Sequence, residues 1–231
     1  MAEKSIDNLR EQCLELLLNI VPISQIGFIF VTAVVFQRLA EGSGSSAFGA
    51  LSGLGLKNLF AISDGLFWSV GIVLVGACFF LALINTYILK LALRKSFESS
   101  RISEQLLRWI SVAAKSMEGL DKDDRGPIRD SISTELTRRL KKYHSKRMLS
   151  ESLFSISAVI VYASIYLIFI NHSNLSKIEF SYLELIVGSV STLLCFFCHR
   201  NSIRYALSRV VPLQVCLTAM TGELAFSIDA D

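Results

Sequence analysis

Residues 66–89 read LFWSVGIVLVGACFFLALINTYIL, 24 residues without an Asp, Glu, Lys or Arg. A helix crossing about 30 Å of hydrocarbon needs about 20 apolar residues, because lipid offers no partner to backbone N–H and C=O groups. Trp68 and Tyr87 stand near the two ends, where interfacial aromatics are expected. The stretch therefore reads as a membrane span, and the rest of the chain is read outward from it. Leu153 to Ile170 form a second such segment, inside a run free of Asp, Glu, Lys and Arg from Ser152 to Ser176, and set a span at 150–171. Residues 182–199 form another, broken only by Glu184 at its outer edge.

The beginning of the chain is less uniform, since Asn19, Pro22, Ser24 and Gln25 interrupt an apolar run from Leu14 to Phe36. Pro22 suits the first turn of a new helix, where its missing N–H has no consequence. Residues 1–20 then read as a separate amphipathic helix at the cytoplasmic membrane surface, with Leu9, Cys13, Leu16, Leu17 and Ile20 on one face. Residues 21–38 become the first span. The alternative is one kinked helix over 12–38. The mixed-charge start lacks a small-x-small cleavage site, so no signal peptide is expected.

The 231 residues are 52% hydrophobic and only 19% charged, against about 25% charge in soluble domains. Because the charge is concentrated in one central stretch, the sequence excludes a disordered chain, a disulfide-stapled domain and an ordinary soluble enzyme. Of the 23 Lys and Arg, 20 lie before the first span, between the second and third, or after the fourth. Only Arg38, Lys57 and Lys177 fall in or beside the outer connections, 39–65 and 172–181. The positive-inside rule puts both termini in the cytoplasm, including a tail at 200–231. The expected location is the inner membrane of a bacterium. All five cysteines fall in spans or cytoplasmic segments, so no disulfide framework is implied.

The middle segment, 90–149, reads as a helical hairpin. No Gly or Pro occurs from Ala77 to Glu118 or from Ile128 to Val187, and GLDKDDRGP at 119–127 separates the two runs. The second span is expected to continue as helix to about residue 118, and a return helix to start near Pro127. Ile102, Leu106, Ile110, Ala113 and Met117 form one apolar stripe; Ile128, Ile132, Leu136, Leu140 and Tyr143 form the other. The fold class is thus all-α: a polytopic membrane protein of four spans with a cytoplasmic hairpin between the second and third. Each stripe is too narrow to be a core alone, so it is expected to pack on its counterpart, the N-terminal helix or neighbouring copies. Ile110, Met117, Ile132, Leu136 and Leu140 are the candidate contacts to a partner or to a second subunit.

Residues 94–149 carry 14 basic and 8 acidic side chains. Arg138, Arg139, Lys141, Lys142, Lys146 and Arg147 crowd the membrane-proximal end and are the candidate binding residues for anionic inner-leaflet lipid. Topology enforcement alone would also account for them. Nucleic-acid binding is not favoured, because Tyr143 is the only aromatic interleaved with the cluster.

Chemical motifs are sparse. Cys195-Phe-Phe-Cys-His199 matches the haem-attachment pattern but falls at a cytoplasmic span end, and a zinc site there lacks a fourth ligand. His144 and His172 have no evident catalytic partner. No catalytic, metal or cofactor residue is assigned, and no cofactor is expected. Residues 41–46, EGSGSS, read as a flexible linker, followed by the apolar AFGALSGLGLKNLFAI as an interfacial or re-entrant segment or a surface helix at the outer mouth. No Asp, Glu, Lys or Arg sits at mid-span, which disfavours an ion-coupled transporter. The remaining polar residues include Gln25, Thr32, Asn85 and Tyr162.

In layout the chain resembles the flagellar stator and related energy-transducing membrane subunits: two spans, a cytoplasmic helical insertion, two spans and a tail. The resemblance is topological and carries no functional residues over. Tetraspan gap-junction proteins share the layout, but their paired outer-loop cysteines are absent here. The expected function is a non-enzymatic, oligomeric membrane subunit that senses a membrane or envelope event and passes it to a soluble cytoplasmic protein. Bacterial phage defence is one setting for such a subunit. An oligomeric ion channel or membrane-permeabilising effector is the alternative, and a stator-like energy transducer the third.

Overall fold

Long runs without glycine or proline become long helices. The computed structural model describes residues 2–18, 23–52, 54–55, 70–98, 102–118, 125–171 and 181–221. Among them all regular structure is helical. The helices are α1 (Ala2–Leu18), α2 (Ile23–Ala40), α3 (Ala47–Leu51), α4 (Ile72–Glu98), α5 (Ile102–Glu118), α6 (Arg125–Ile170) and α7 (Tyr182–Tyr205). A π-helical turn, Ala206–Val210, then leads into α8 (Val211–Thr221). Residues 119–124 of the expected turn at 119–127, residues 53 and 56–62 of the apolar segment, residues 66–69 of the expected second span, the loop residues 172–180 and the chain end at 222–231 lie outside the described residues.

Helix α6 runs 46 residues without a break. Pro127 is accommodated in its first turn, where backbone N–H groups have no intrahelical acceptor. The run expected to be helical to residue 118 is described as α4 and α5, and residues 99–101 lie outside the described residues. At the other end, α7 continues well past the expected span limit. Its π turn has a local cause. Pro212 lacks an N–H and would clash with the carbonyl four residues back in a regular α-helix. Widening the turn, with the Val211 N–H bonded to the Ala206 carbonyl, accommodates it.

The chain divides into two compact units. The first comprises Met1–Val21, Lys90–Arg147 and His199–Asp231. Its core takes Leu9, Cys13 and Leu17 from α1, Leu93 and Phe97 from α4, Leu106 from α5, and Leu136 and Tyr143 from α6. Ile203, Ala206, Val210, Val211 and Val215 complete it. The apolar face of α1 is thus occupied by protein, and burial pushes the Cys13 thiol up to about 12, which keeps it a neutral core side chain.

The second unit comprises Pro22–Leu89 and Met148–Cys198. Small residues on its inner faces (Cys78, Ala82, Ala158, Ala163) let helices approach closely. Phe28 meets Tyr162 edge-on at 6.1 Å, and Phe36 stacks on Tyr166 at 4.3 Å. Ser157 Oγ donates to the Gly188 carbonyl (3.3 Å), and Thr192 Oγ1 donates to Ser157 Oγ (3.2 Å). The outward faces are apolar: Ile72, Val73, Phe80, Phe169 and Ile186 are all more than 60% exposed.

Among the described residues three helices are long and apolar enough to cross a membrane: Ile72–Phe97, Arg125–Ile170 and Tyr182–Met220. The chain itself covers only 17%, 28% and 11% of their most apolar windows. Water would not tolerate that much contiguous apolar surface, whose usual limit is a few hundred Å². The apolar part of α2, Gln25–Ala40, is shorter.

The segment expected to be a flexible linker is a folded turn. Gly42 takes a positive φ of 70°, and Ser46 caps α3 by accepting the Gly49 N–H. The Arg38 Nε donates to the Ala50 carbonyl (3.2 Å), and the Phe48 N–H donates to the buried Glu184 carboxylate (2.6 Å). Gly44 lies so close to α3 that a Cβ there would sit 2.6 Å from the Ala50 nitrogen. Gly44→Ala is therefore expected to destabilise the protein by about 1–3 kcal/mol through the forced backbone shift, measured by thermal unfolding in detergent.

Candidate lipid and partner interface

Helix α6 carries the whole basic cluster, and the helical repeat distributes it around the axis. Arg138 is exposed, with 79% of its side chain accessible. Lys141 and Lys142 are exposed as well, Lys146 and Arg139 are half-buried, and Arg147 is buried. Arg139 and Arg138 both pair with Glu135, at 2.6 and 2.9 Å. Their hydrogen bonds, Arg139 first, hold the Glu135 carboxyl below the usual carboxylate range. Arg139 also donates to the Arg209 carbonyl in the π turn (3.2 Å).

Lys142 and Lys146, one helical turn apart, both lie over the ring of Tyr205, at 5.9 and 5.6 Å from its centroid. Each contact contributes about 0.5–1 kcal/mol at an exposed site. The ring aligns two ammonium groups that would otherwise sweep freely, so an anion meets a preset pair of positive charges. The spacing of the two lysines is legible in the sequence. Tyr205 lies 59 positions beyond Lys146 in the sequence and carries no signal that it would join them.

Arg147 has a different role. Its guanidinium donates to the Leu17 carbonyl in the last turn of α1, where carbonyls lack intrahelical donors and positive charge is favoured. Arg147 is thus engaged within the chain, unlike the exposed members of the candidate cluster. Arg147→Ala is expected to cost about 2–3 kcal/mol, the scale of a lost charged hydrogen bond, with affinity for anionic lipid unchanged. A denaturation series in mixed micelles and a lipid titration read the two effects separately.

The candidate contact residues are also divided. Leu136 is buried in the core of the first unit, and Ile110 and Leu140 are partly buried against it. Ile132 is half-buried, and the Met117 side chain lies outside the described residues. The covering surface is α1 and, unforeseen from sequence, α8, which packs extensively on α5. Leu107 and Val112 on α5 remain exposed.

The His199 ring meets Ser96 Oγ at 3.4 Å, and the His144 ring meets Tyr143 edge-on. Among the described residues no three His, Cys, Asp or Glu side chains converge as metal ligands. No protein-family model matches the chain, nor does any curated protein or solved structure.

Proposed function

We propose that the chain is a non-enzymatic, oligomeric inner-membrane subunit with four spans and both termini in the cytoplasm. It senses a membrane or envelope event and passes it, through the segment 90–149, to a soluble cytoplasmic protein. The observation that carries this reading is α6. Its apolar second half belongs to one compact unit and its basic first half to the other. At 1.5 Å per residue its 46 residues extend roughly 69 Å. An unbroken helix transmits rotation or tilt along its length, whereas a loop would absorb it. The lysine pair over Tyr205 supports an anchor on anionic inner-leaflet lipid, and the exposed Leu107 and Val112 support a contact beyond the chain. Phage defence and a stator-like role are settings this reading accommodates.

The test interrupts the link without removing either half. Inserting three glycines after Arg147, with both units still folded by limited proteolysis, is expected to abolish the cellular phenotype while keeping membrane insertion. Detergent pulldowns with the wild-type chain should recover a soluble protein. A glycine-inserted chain that retains full activity, together with an empty pulldown, overturns the proposal.

A channel or membrane-permeabilising effector is the second reading. It is favoured by buried polar side chains in the second unit that lack hydrogen-bond partners (Gln25, Thr32 and the Asn85 amide nitrogen). Planar-bilayer recordings distinguish it, since the coupling reading expects no conductance.

A further inference from the structure

Helix α2 turns Gln25, Phe28, Thr32 and Phe36 to one face, each three or four residues after the last or a multiple of that spacing. Phe28 packs on Tyr162 and Phe36 on Tyr166, so this face is directed at α6. Thr32, one turn from each phenylalanine, lies between the two aromatic pairs. It is fully buried, and its hydroxyl has no partner, not even the carbonyl one turn back on its own helix. The Tyr162 hydroxyl, on the ring that Phe28 meets, donates to Asn85 Oδ1 at 2.9 Å, which brings α4 to the same aromatic pair. The Asn85 Nδ2 is left without an acceptor, although the residue is only 1% exposed. Gln25, 7% exposed and two turns earlier on the same face, has neither amide atom paired.

These groups are neutral, and they offer donors and acceptors together: an amide N–H from Asn85, a hydroxyl from Thr32, and both functions from Gln25. A cation would need oxygens only, and an anion donors only. We propose that Thr32, Asn85 and Tyr162 form an internal water-binding site, extended toward Gln25, at the meeting point of α2, α4 and α6. One water accepts from Asn85 Nδ2 and donates to Thr32 Oγ1, and further molecules continue the chain along the α2 face. Hydrogen-bonded water satisfies buried polar groups that lipid and aromatic rings cannot. The inference is independent of the coupling function and rests only on this bundle sitting in lipid.

X-ray hydroxyl-radical footprinting of the full chain in nanodiscs tests it, because radicals formed from bound water label the nearest side chains. Phe28 and Tyr162 are expected to be modified at least five-fold faster than Phe36 and Tyr166, the aromatic pair without an adjoining polar amide. In Thr32→Val, which keeps the side-chain shape without the hydroxyl, that excess should fall at least three-fold. The melting temperature should stay level or drop, since a satisfied group has been removed. Equal labelling of the two aromatic pairs, or a Thr32→Val chain that melts higher with its footprint unchanged, overturns the proposal. Asn85→Leu provides the same comparison from the other helix, should Thr32→Val not insert.

Discussion

Neutralising Arg138, Lys141, Lys142 and Lys146 to glutamine lowers affinity for short-chain phosphatidylglycerol, presented in a neutral detergent, by roughly a thousand-fold. The estimate takes about 1 kcal/mol per basic residue near an anionic surface and about 1.4 kcal/mol per ten-fold in affinity. Arg138 shares Glu135 but keeps 79% of its side chain accessible, and the three lysines are exposed or half-buried, whereas Arg139 is held by both Glu135 and the Arg209 carbonyl and Arg147 by the end of α1. Affinity for phosphatidylcholine should not move. The wild-type preference should weaken steeply between low and physiological salt, as screening shortens to about 8 Å. Tyr205→Leu offers a finer comparison. It keeps every charge but frees both ammonium groups, so affinity should fall by only a few-fold. A quadruple variant that still binds within two-fold of wild type would leave topology as the only role of the cluster.

The second large effect separates two adjacent leucines. Leu106 is 0% exposed and Leu107 is 51% exposed. Leu106→Ala should cost about 2–5 kcal/mol, the transfer and cavity loss of a fully buried leucine. Leu107→Ala should fall within about 0.5 kcal/mol of wild type. Denaturant titration in mild detergent measures both. The cost of Leu106→Ala should not depend on protein concentration, because α1 and α8 of the same chain cover the stripe. If dilution enlarges the loss, a neighbouring subunit supplies the cover instead.

The two apolar stripes at 102–117 and 128–143 were legible in sequence because apolar residues recur every three or four positions, and Leu106, Ala113, Leu136 and Tyr143 are buried. Periodicity shows that a face must be covered and does not name the cover. For that reason α1 reads as a membrane-surface helix from its pattern, yet Leu9, Cys13 and Leu17 face protein. The covering role of α8 was hidden twice over, by three arginines that read as a topology signal and by Pro212, which reads as the end of a helix. The π turn absorbs the proline, so the helix continues where local rules stop it. Residues 41–46 were misread for a related reason. Gly and Ser permit many conformations, and only the nearby Ala50 backbone and Arg38 select one. Within the candidate site, the charges were visible and their allocation was not, since Tyr205, Arg209 and Leu17 are distant in sequence.

The wide turn at Ala206–Val210 also sets the phase of everything after it. A π turn holds one residue more than the α-helical turn it replaces, so the same residues wound as regular α-helix would rotate α8 by about 100° about its axis. Val211 and Val215 would swing away from the core they fill, and Gln214 would be carried toward their place. The proline that breaks the regular bonding therefore acts as the chain's clocking mark.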